Sequence, residues 1–156
     1  MNLFYLAIFT LLLLPFGHGR AHAQTPARPF PQHVVYAGGA IIPNHVTRER
    51  LDGQTKAFYW EWKRKYVKQG CSAGRYYVAT SDDHGQGIAT VSEAHGYGMM
   101  IMALMAGQDP EAKAVFDGMY HYFRDHPAAE HPYLMSWKQD AQCRNVEGNN
   151  SGMAWA

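Results

Sequence analysis

The sequence predicts an all-α fold in which helices are arranged in layers. Three segments carry apolar residues at helical spacing, and the middle one is apolar on nearly every side whereas its neighbours are amphipathic. An inner helix wrapped by outer ones is the arrangement that this order favours. The 156 residues, 47% of them hydrophobic, suffice for one globular domain. A net charge of +1 offers no basic stripe for phosphates, so we expect no nucleic-acid partner.

The N-terminus has the composition of a secretory signal peptide over residues 1–23. Residues 3–14 are almost wholly apolar, Pro15 interrupts them, and Ala-His-Ala at 21–23 forms a small-x-small cleavage site before Gln24. The apolar run of about 12 residues is shorter than the roughly 20 that a membrane-spanning helix needs. We therefore expect a secreted protein, periplasmic or extracellular, that is free of the membrane once the leader is removed.

After the leader, prolines and paired glycines predict an extended lead-in over 24–46. The first helix is predicted to begin with Thr47 as its N-cap and to end at Gly70. Its apolar residues recur at helical spacing and predict one buried face. That face consists of Leu51, Phe58, Tyr59, Trp62 and Tyr66.

A short strand is predicted over 76–80, a polar loop over 81–87 and the second helix over 92–106. The second half of this helix has no polar residue, so we expect it to be buried on all sides. Gly96 and Gly98 each lower its helix propensity by about 1 kcal/mol relative to alanine. Close packing or a ligand should offset that cost.

The third helix is predicted to begin with Asp109 as N-cap and Pro110 at its first helical position, and to end at His126. A brief extended segment follows over 133–138, and then a loop. The buried stripe of the third helix is predicted to be Val115, Phe116, Met119 and Phe123. The first and third helices cannot cover the middle helix on every side while their own polar faces remain in contact with solvent. We therefore expect the chain to be truncated after the first few helices of a longer fold.

Glu93 is the candidate acid of the chain. It lies in the first turn of the second helix, with Tyr97, Met100 and Leu104 on the same face. Desolvation beside that stripe would favour the protonated carboxyl, which suits a proton donor, whereas the helix N-terminus favours the anion. A first-turn acid also commonly does no more than complement the helix dipole. The residues alone leave both roles open.

A longer pattern surrounds this acid. Residues 92–99 read Ser-Glu-x-x-Gly-Tyr-Gly-Met and lead into an apolar helix. Weaker matches follow at 116–118 (Phe-Asp-Gly), 134–138 (Leu-Met-Ser-Trp-Lys) and 149–152 (Asn-Asn-Ser-Gly). Together these segments resemble glycoside hydrolase family 8 over about residues 45–156, although Ala94 stands where that family commonly has glycine. The resemblance implies that residues 47–156 form the N-terminal part of an (α/α)6 barrel of six helical hairpins.

The resemblance also implies an endo-acting, inverting hydrolase of a β-1,4-linked polysaccharide. Glu93 matches the general acid that protonates the leaving glycosidic oxygen, and Trp137 matches an aromatic residue that stacks on a sugar ring. We expect Tyr97 to bind substrate as well. Cellulose, chitosan, mixed-linkage glucan and xylan all remain open as substrates, with a β-1,4-glucan or chitosan favoured.

An inverting enzyme needs a second carboxylate, held about 6.5–9.5 Å from the acid, to activate a water. In this family the base and the aspartates that grip the sugar would follow Ala156. The nearby carboxylates of this chain do not match the base; they are Asp82, Asp83, Asp140 and Glu147. We therefore expect the chain by itself to be inactive.

Two other kinds of site are weaker. A metal site could be imagined from Asp82, Asp83, His84, Glu93 and His95, but their spacing is looser than that of zinc ligands, so we expect no metal and no cofactor. A non-catalytic carbohydrate-binding or helical scaffold protein could use stacking platforms at Trp60, Trp62, Trp137 and Trp155. We expect a monomer. Export permits a disulfide between Cys71 and Cys143, but two separate thiols or an outside partner are equally compatible with the sequence.

Overall fold

The structure, a computed structural model, describes residues 30–80 and 87–146. The predicted signal peptide therefore lies outside the described residues. The same holds for most of the polar loop, which contains Asp82, Asp83 and His84, and for Glu147 and Trp155 near the C-terminus. Residues 30–46 have no helix or strand and are almost entirely exposed.

Three helices alternate with short strands along the chain. The elements are α1 (Arg48–Tyr66), β1 (Val67–Gln69), β2 (Tyr76–Val78), β3 (Ile88–Val91), α2 (Ser92–Met105), α3 (Ala112–Asp125) and β4 (Lys138–Asp140). β1 pairs with β2 and β3 pairs with β4, both antiparallel. The helical prediction is thus right for the three helices, and the extended segment predicted over 76–80 contains β2, but an all-α fold leaves out the four strands. Each strand has only three or four residues, too few for alternation of polar and apolar side chains to be visible in the sequence.

α1 begins as predicted and ends earlier than predicted. The Thr47 hydroxyl oxygen accepts a hydrogen bond from the Arg50 amide at 3.3 Å, which is the N-cap interaction. The helix ends at Tyr66, not at Gly70, because the chain after it extends to pair with β2. Only Tyr59 of the predicted face is fully buried, and Phe58 is 70% exposed.

α2 has nearly the predicted ends, but the prediction that it is buried on all sides is wrong for the described chain. Tyr97, Met100 and Leu104 are 66%, 57% and 55% exposed. α3, β2 and β3 pack on the opposite face of α2, and Tyr59 of α1 contacts Met102, but these elements leave the face that carries Tyr97, Met100 and Leu104 more than half exposed. The apolar composition of α2 predicts that its faces can be buried. It does not show that the described part of the chain contains an element that covers each of them.

The close packing expected around the second-helix glycines is found at Gly98. This residue is buried, and a Cβ atom added to it would overlap Cγ2 of Val78 on β2. Glycine therefore lets β2 approach the axis of α2. Below this contact lies the core, where Met102 of α2 and Met119 of α3 are fully buried.

α3 begins at Ala112, later than the predicted start. Asp109 does act as a local cap, since its Oδ1 accepts a hydrogen bond from the Glu111 amide at 2.9 Å, but residues 109–111 form a turn that precedes the helix. The other oxygen of this fully buried carboxylate accepts hydrogen bonds from Tyr59 Oη and, at 2.7 Å, from Lys63 Nζ. Burial opposes ionisation of Asp109, but the bonds from Lys63 and Tyr59 outweigh it and lower its pKa. Asp109 thus ties the start of α3 to α1.

The buried stripe of α3 differs from the prediction by one helical position. Val115 and Met119 are buried as expected, whereas Phe116 and Phe123 are only half-buried and Tyr122 takes the central place at 1% exposure. Tyr122 stacks between Tyr77 and other rings of the core.

Cys71 and Cys143 form a disulfide in the structure, with a Cα–Cα distance of 6.1 Å. The bond joins the β1–β2 turn to the segment just after β4. None of the helices in the described ranges is long and apolar enough to cross a membrane.

Candidate active site

Glu93 lies where β3 turns into α2. β3 ends at Val91, the N-cap of α2, and the valine side chain cannot accept hydrogen bonds from the first-turn amides. Glu93 is the acidic residue of that first turn, and its side chain is half-buried. No described residue donates a hydrogen bond to its carboxylate or pairs with it as an ion. Within the described ranges, the carboxylate therefore has no partner that would compete with a ligand.

The pairing of β3 with β4 brings Trp137 beside this turn. Val91 lies opposite Lys138 in the ladder, and the Ser92 amide donates a hydrogen bond to the Trp137 carbonyl at 2.9 Å. Two predicted site residues that are far apart in sequence, Glu93 and Trp137, thus extend from adjacent backbone positions. This is the structural observation that unites the candidate site.

Lys138 completes the aromatic side of the site. Its Nζ atom lies 4.4 Å from the centre of the Trp137 ring, a cation–π contact. The contact restricts the orientation of the indole, and both side chains are half-buried. The sequence gives no sign that Lys138 belongs to the site, because its contact with the Trp137 ring depends on the three-dimensional arrangement of the two side chains.

Tyr97 follows Glu93 by one helical turn and lies on the same, open face of α2. Its ring is 66% exposed, so it can contact a bound ligand. Met100 and Leu104 continue this face and are likewise exposed. The apolar stripe that continues from Glu93 is thus more than half exposed in the described chain.

The backbone under the site is held by buried polar contacts. The Thr90 hydroxyl donates a hydrogen bond to the Val78 carbonyl at 2.6 Å, which ties β3 to β2. The Gln139 side-chain amide donates to the Ser136 carbonyl at 2.8 Å, which fixes the chain on both sides of Trp137. Thr90, Ser136 and Gln139 are at most 1% exposed. Hydrogen bonds of this kind hold site residues in place without contacting a ligand.

His95 belongs to the core and not to the site. It is 1% exposed, its Nε2–H donates to the Met119 carbonyl at 2.9 Å, and its ring stacks on Tyr122. Burial lowers the pKa of His95 to about 4. Two residues apart on a helix, Glu93 and His95 point in different directions, so they cannot share a metal ion. Asp82, Asp83 and His84 of the imagined metal set lie outside the described residues.

Asp140, the described member of the possible bases, is engaged in a turn. Its carboxylate accepts hydrogen bonds from the Arg144 amide and guanidinium and from the Gln142 amide, all at 2.9 Å or less. The Arg144 amide and side chain lower the pKa of Asp140. A carboxylate whose oxygens are occupied in this way stabilises the turn and is poorly suited to activate a water.

The described ranges contain no group of three or more histidine, cysteine or acidic side chains that could hold a metal. Two clefts bounded by described residues lie away from Glu93. One, of about 420 Å3, lies between α1, β2 and α3; the other, of about 200 Å3, lies between α1 and α2 and is almost wholly apolar. The candidate site therefore consists of a half-buried acid in the first turn of α2, an exposed tyrosine one turn further on, and a tryptophan on the segment before β4 that bonds to this turn.

Residues 40–155 match the family model for glycosyl hydrolases family 8. Because the match covers most of the chain, the chain belongs to that family. This confirms the family to which the sequence around Glu93 was compared.

Similar proteins and a similar solved structure agree with this family assignment. The chain is 44% identical over 140 residues to a beta-glucanase of Niallia circulans, covering 90% of this chain and 32% of that protein. It is 41% identical over 115 residues to an endoglucanase of Bacillus sp. (strain KSM-330), covering 70% of this chain and 25% of that protein. The structure of a beta-1,3-1,4-glucanase from Paenibacillus sp. X4 superimposes with a TM-score of 0.71 at 46% identity, over 80% of this chain and 32% of that one. The chain thus spans between a quarter and a third of the length of these relatives.

Proposed function

We propose that this chain forms part of a glycoside hydrolase that cleaves a β-linked glucan, with Glu93 as the general acid. The observation that supports the proposal is the hydrogen bond between the Ser92 amide and the Trp137 carbonyl, which brings the backbone that carries Glu93 next to the backbone that carries Trp137. Family membership and the names of the relatives support a glucan as substrate and give no support to chitosan.

The proposed chemistry follows from these positions. A sugar ring stacked on Trp137 would place a neighbouring glycosidic oxygen over the first turn of α2. Protonated Glu93 would then donate its proton to that oxygen as the bond to the anomeric carbon breaks. Tyr97, exposed one turn further on, would contact the adjoining sugar. In an inverting reaction a water activated by a second carboxylate attacks from the opposite side.

Among the described residues, Asp140 follows Trp137 closely in sequence but is engaged with Arg144 and is poorly suited to be that second carboxylate. We propose that the base is supplied by the remainder of an (α/α)6 barrel to which the chain contributes its first helices, and that the protein is exported. The overlap with between a quarter and a third of each relative supports the first of these points. The composition of residues 1–23 supports the second.

The deciding experiment compares Glu93→Gln with the unaltered protein, both expressed from the complete reading frame. The amide has the shape of the acid but no proton to give. We expect kcat for release of reducing sugar from mixed-linkage β-glucan to fall about 10²–10⁴-fold or more, because that is the usual contribution of a general acid. Binding of the glucan should persist.

Glu61→Gln is the matched control, since Glu61 is an exposed acid on α1 remote from the α2 turn. It should leave kcat unchanged. Equal turnover by Glu93→Gln and the unaltered protein would remove Glu93 from the mechanism. Binding of glucan with no turnover by the unaltered protein would favour a carbohydrate-binding role instead.

A further inference from the structure

The larger cleft lies at the far end of α2 from Glu93. Its walls come from α1, β2 and the start of α3, and it is lined by Trp60, Lys63, Arg64, Val67, Tyr76, Glu111, Ala114 and Val115. Glu111 follows the C-terminal end of α2, whereas Glu93 lies in the first turn of that helix. Because α2 has 14 residues, about 20 Å of helix separate Glu93 from the end of the cleft at Glu111. No residue of α2 lines this cleft, so it is distinct from the candidate active site.

The cleft presents an exposed aromatic ring in a fixed position. Trp60 is 39% exposed, packs edge-on against buried Tyr59 with ring centres 5.1 Å apart, and has Lys63 Nζ 5.3 Å from its centre. Tyr76 contributes a second ring, which is held against α3 because glycine at position 118 leaves no side chain in its way. A tryptophan immobilised on one side and open on the other loses little conformational freedom when a flat ligand stacks on it.

The charges of the cleft balance one another. Lys63 Nζ donates to Asp109 at 2.7 Å and to Glu111 at 3.0 Å, and the Glu111 side chain is 73% exposed. Within the described part of the chain Arg64 pairs with no carboxylate and is exposed. The cleft itself is lined by Lys63, Arg64 and Glu111, and the carboxylate of Asp109 is buried beneath Lys63. With Asp109 included, two cations face two carboxylates, so net charge does not select an ionic ligand. These side chains do offer hydrogen-bond donors and acceptors around the rings of Trp60 and Tyr76.

From this arrangement we infer that the cleft beside Trp60 is a second glucan-binding site, separate from the catalytic one. A β-linked glucose unit has an apolar C–H face, which suits Trp60, and hydroxyl groups around its edge, which suit Arg64 and Glu111. A volume of about 420 Å3 accommodates one or two sugar units. The identity of the sugar rests on the proposed function, while the neutral, amphipathic character of the ligand rests on the cleft itself. Such a site would hold a polymer on the enzyme between cleavage events.

The test measures retention of the protein, expressed from its complete reading frame, in native gels containing soluble mixed-linkage β-glucan. Four proteins are compared: the parent, Trp60→Ala, Trp137→Ala and the double variant. All carry Glu93→Gln so that the polymer stays intact. We expect Trp60→Ala to raise the apparent dissociation constant about tenfold or more, as truncation of a central aromatic anchor does. The effect should persist in the Trp137→Ala background, because separate sites act independently.

Phe58→Ala is the matched control, since Phe58 is an aromatic residue of the same helix, more exposed than Trp60 and outside this cleft. It should not change retention. Arg64→Ala, an exposed change that does not touch the core, should weaken retention by a smaller factor and provides a second reading if Trp60→Ala unfolds. Retention unaltered by both Trp60→Ala and Arg64→Ala, or lowered equally by Phe58→Ala, would overturn the inference.

The outcome is independent of the test of Glu93. With Glu93 restored, Trp60→Ala should leave kcat on a short soluble oligosaccharide unchanged. Trp60-dependent retention in a protein that hydrolyses no glucan would refute the proposed function and leave this site standing. Hydrolysis that depends on Glu93, with no effect of Trp60→Ala on retention, would support the proposed function and refute the second glucan-binding site.

Discussion

The two faces of α2 have similar composition and opposite surroundings. One face is buried against β2, β3 and α3 and consists of Ser92, His95, Gly98, Met102 and Met105. The other begins with Glu93 and continues through Tyr97, Met100 and Leu104, three apolar or aromatic residues that are each more than half exposed. Both sets follow helical spacing, so neither hydrophobicity nor periodicity tells them apart.

The difference lies in which face receives the small and the adaptable side chains. Gly98 admits β2 at close range, and Met102 fills the space between α1 and α3 with a flexible thioether that also accepts a hydrogen bond from Tyr59 Oη at 3.7 Å. The open face has a carboxylate and a tyrosine at its N-terminal end, where Trp137 lies beside it. One face thus determines stability and the other is available for function, and substitutions should separate the two.

The largest expected effect on this comparison comes from two methionines two residues apart. Met102→Ala should lower the free energy of unfolding by about 2–5 kcal/mol, because it leaves a cavity where no surface was exposed. Met100→Ala makes the same chemical change on the open face and should cost about 0.5 kcal/mol or less. Urea unfolding followed by circular dichroism measures both. Losses of equal size would mean that the open face is covered in solution.

A second test uses the ionisable group on the buried face. The pKa of His95 falls from 6.5 to about 4 on folding, since burial disfavours the charged ring. Between these values the unfolded chain takes up a proton that the folded chain refuses. Folding stability from this group is therefore complete above about pH 6.5 and falls by roughly 3 kcal/mol as the pH drops to about 4, with no further loss below.

The measurement is urea unfolding at several pH values between 7 and 4 for the parent and for His95→Gln. The variant should be less stable at pH 7 but should show a flatter dependence over this range. Asp109 has a lowered pKa, so its contribution is lost only below the usual range of a carboxyl and falls outside the window. An unchanged slope in His95→Gln would assign the pH dependence to other groups.

How far the sequence predicted this fold depends on the range of the interactions involved. Local signals succeeded: Thr47 caps α1, and the predicted second helix over 92–106 is α2, Ser92–Met105. Caps and helical periodicity act within a few residues and can be read from one segment. The start of α3 was misplaced because Asp109 bonds to Tyr59 and Lys63, partners about fifty residues away.

The candidate site shows the same division. The motif at 92–99 predicted the family correctly, yet nothing local indicated that β3 and β4 pair, because their side chains follow no visible alternation. The contact of Lys138 with Trp137 depends on that pairing and was missed with it. The exposure of Tyr97 could not be predicted either, since apolar composition of α2 predicted burial on every side.

The smallest expected effect tests why Gly98 is on the buried face. Gly98→Ala should improve helix propensity yet destabilise the protein by about 1–3 kcal/mol, because the added methyl overlaps the stiff, β-branched side chain of Val78. Gly53→Ala is the matched control: Gly53 lies within α1, a Cβ there meets no atom within 4 Å, and the change should stabilise by up to about 1 kcal/mol. In a double-mutant cycle measured by thermal or urea unfolding, Gly98→Ala should cost less when Val78 is alanine, since the overlapping methyl groups are gone. Equal costs in the two backgrounds would show that β2 does not approach α2 at Gly98 as closely as the structure has it.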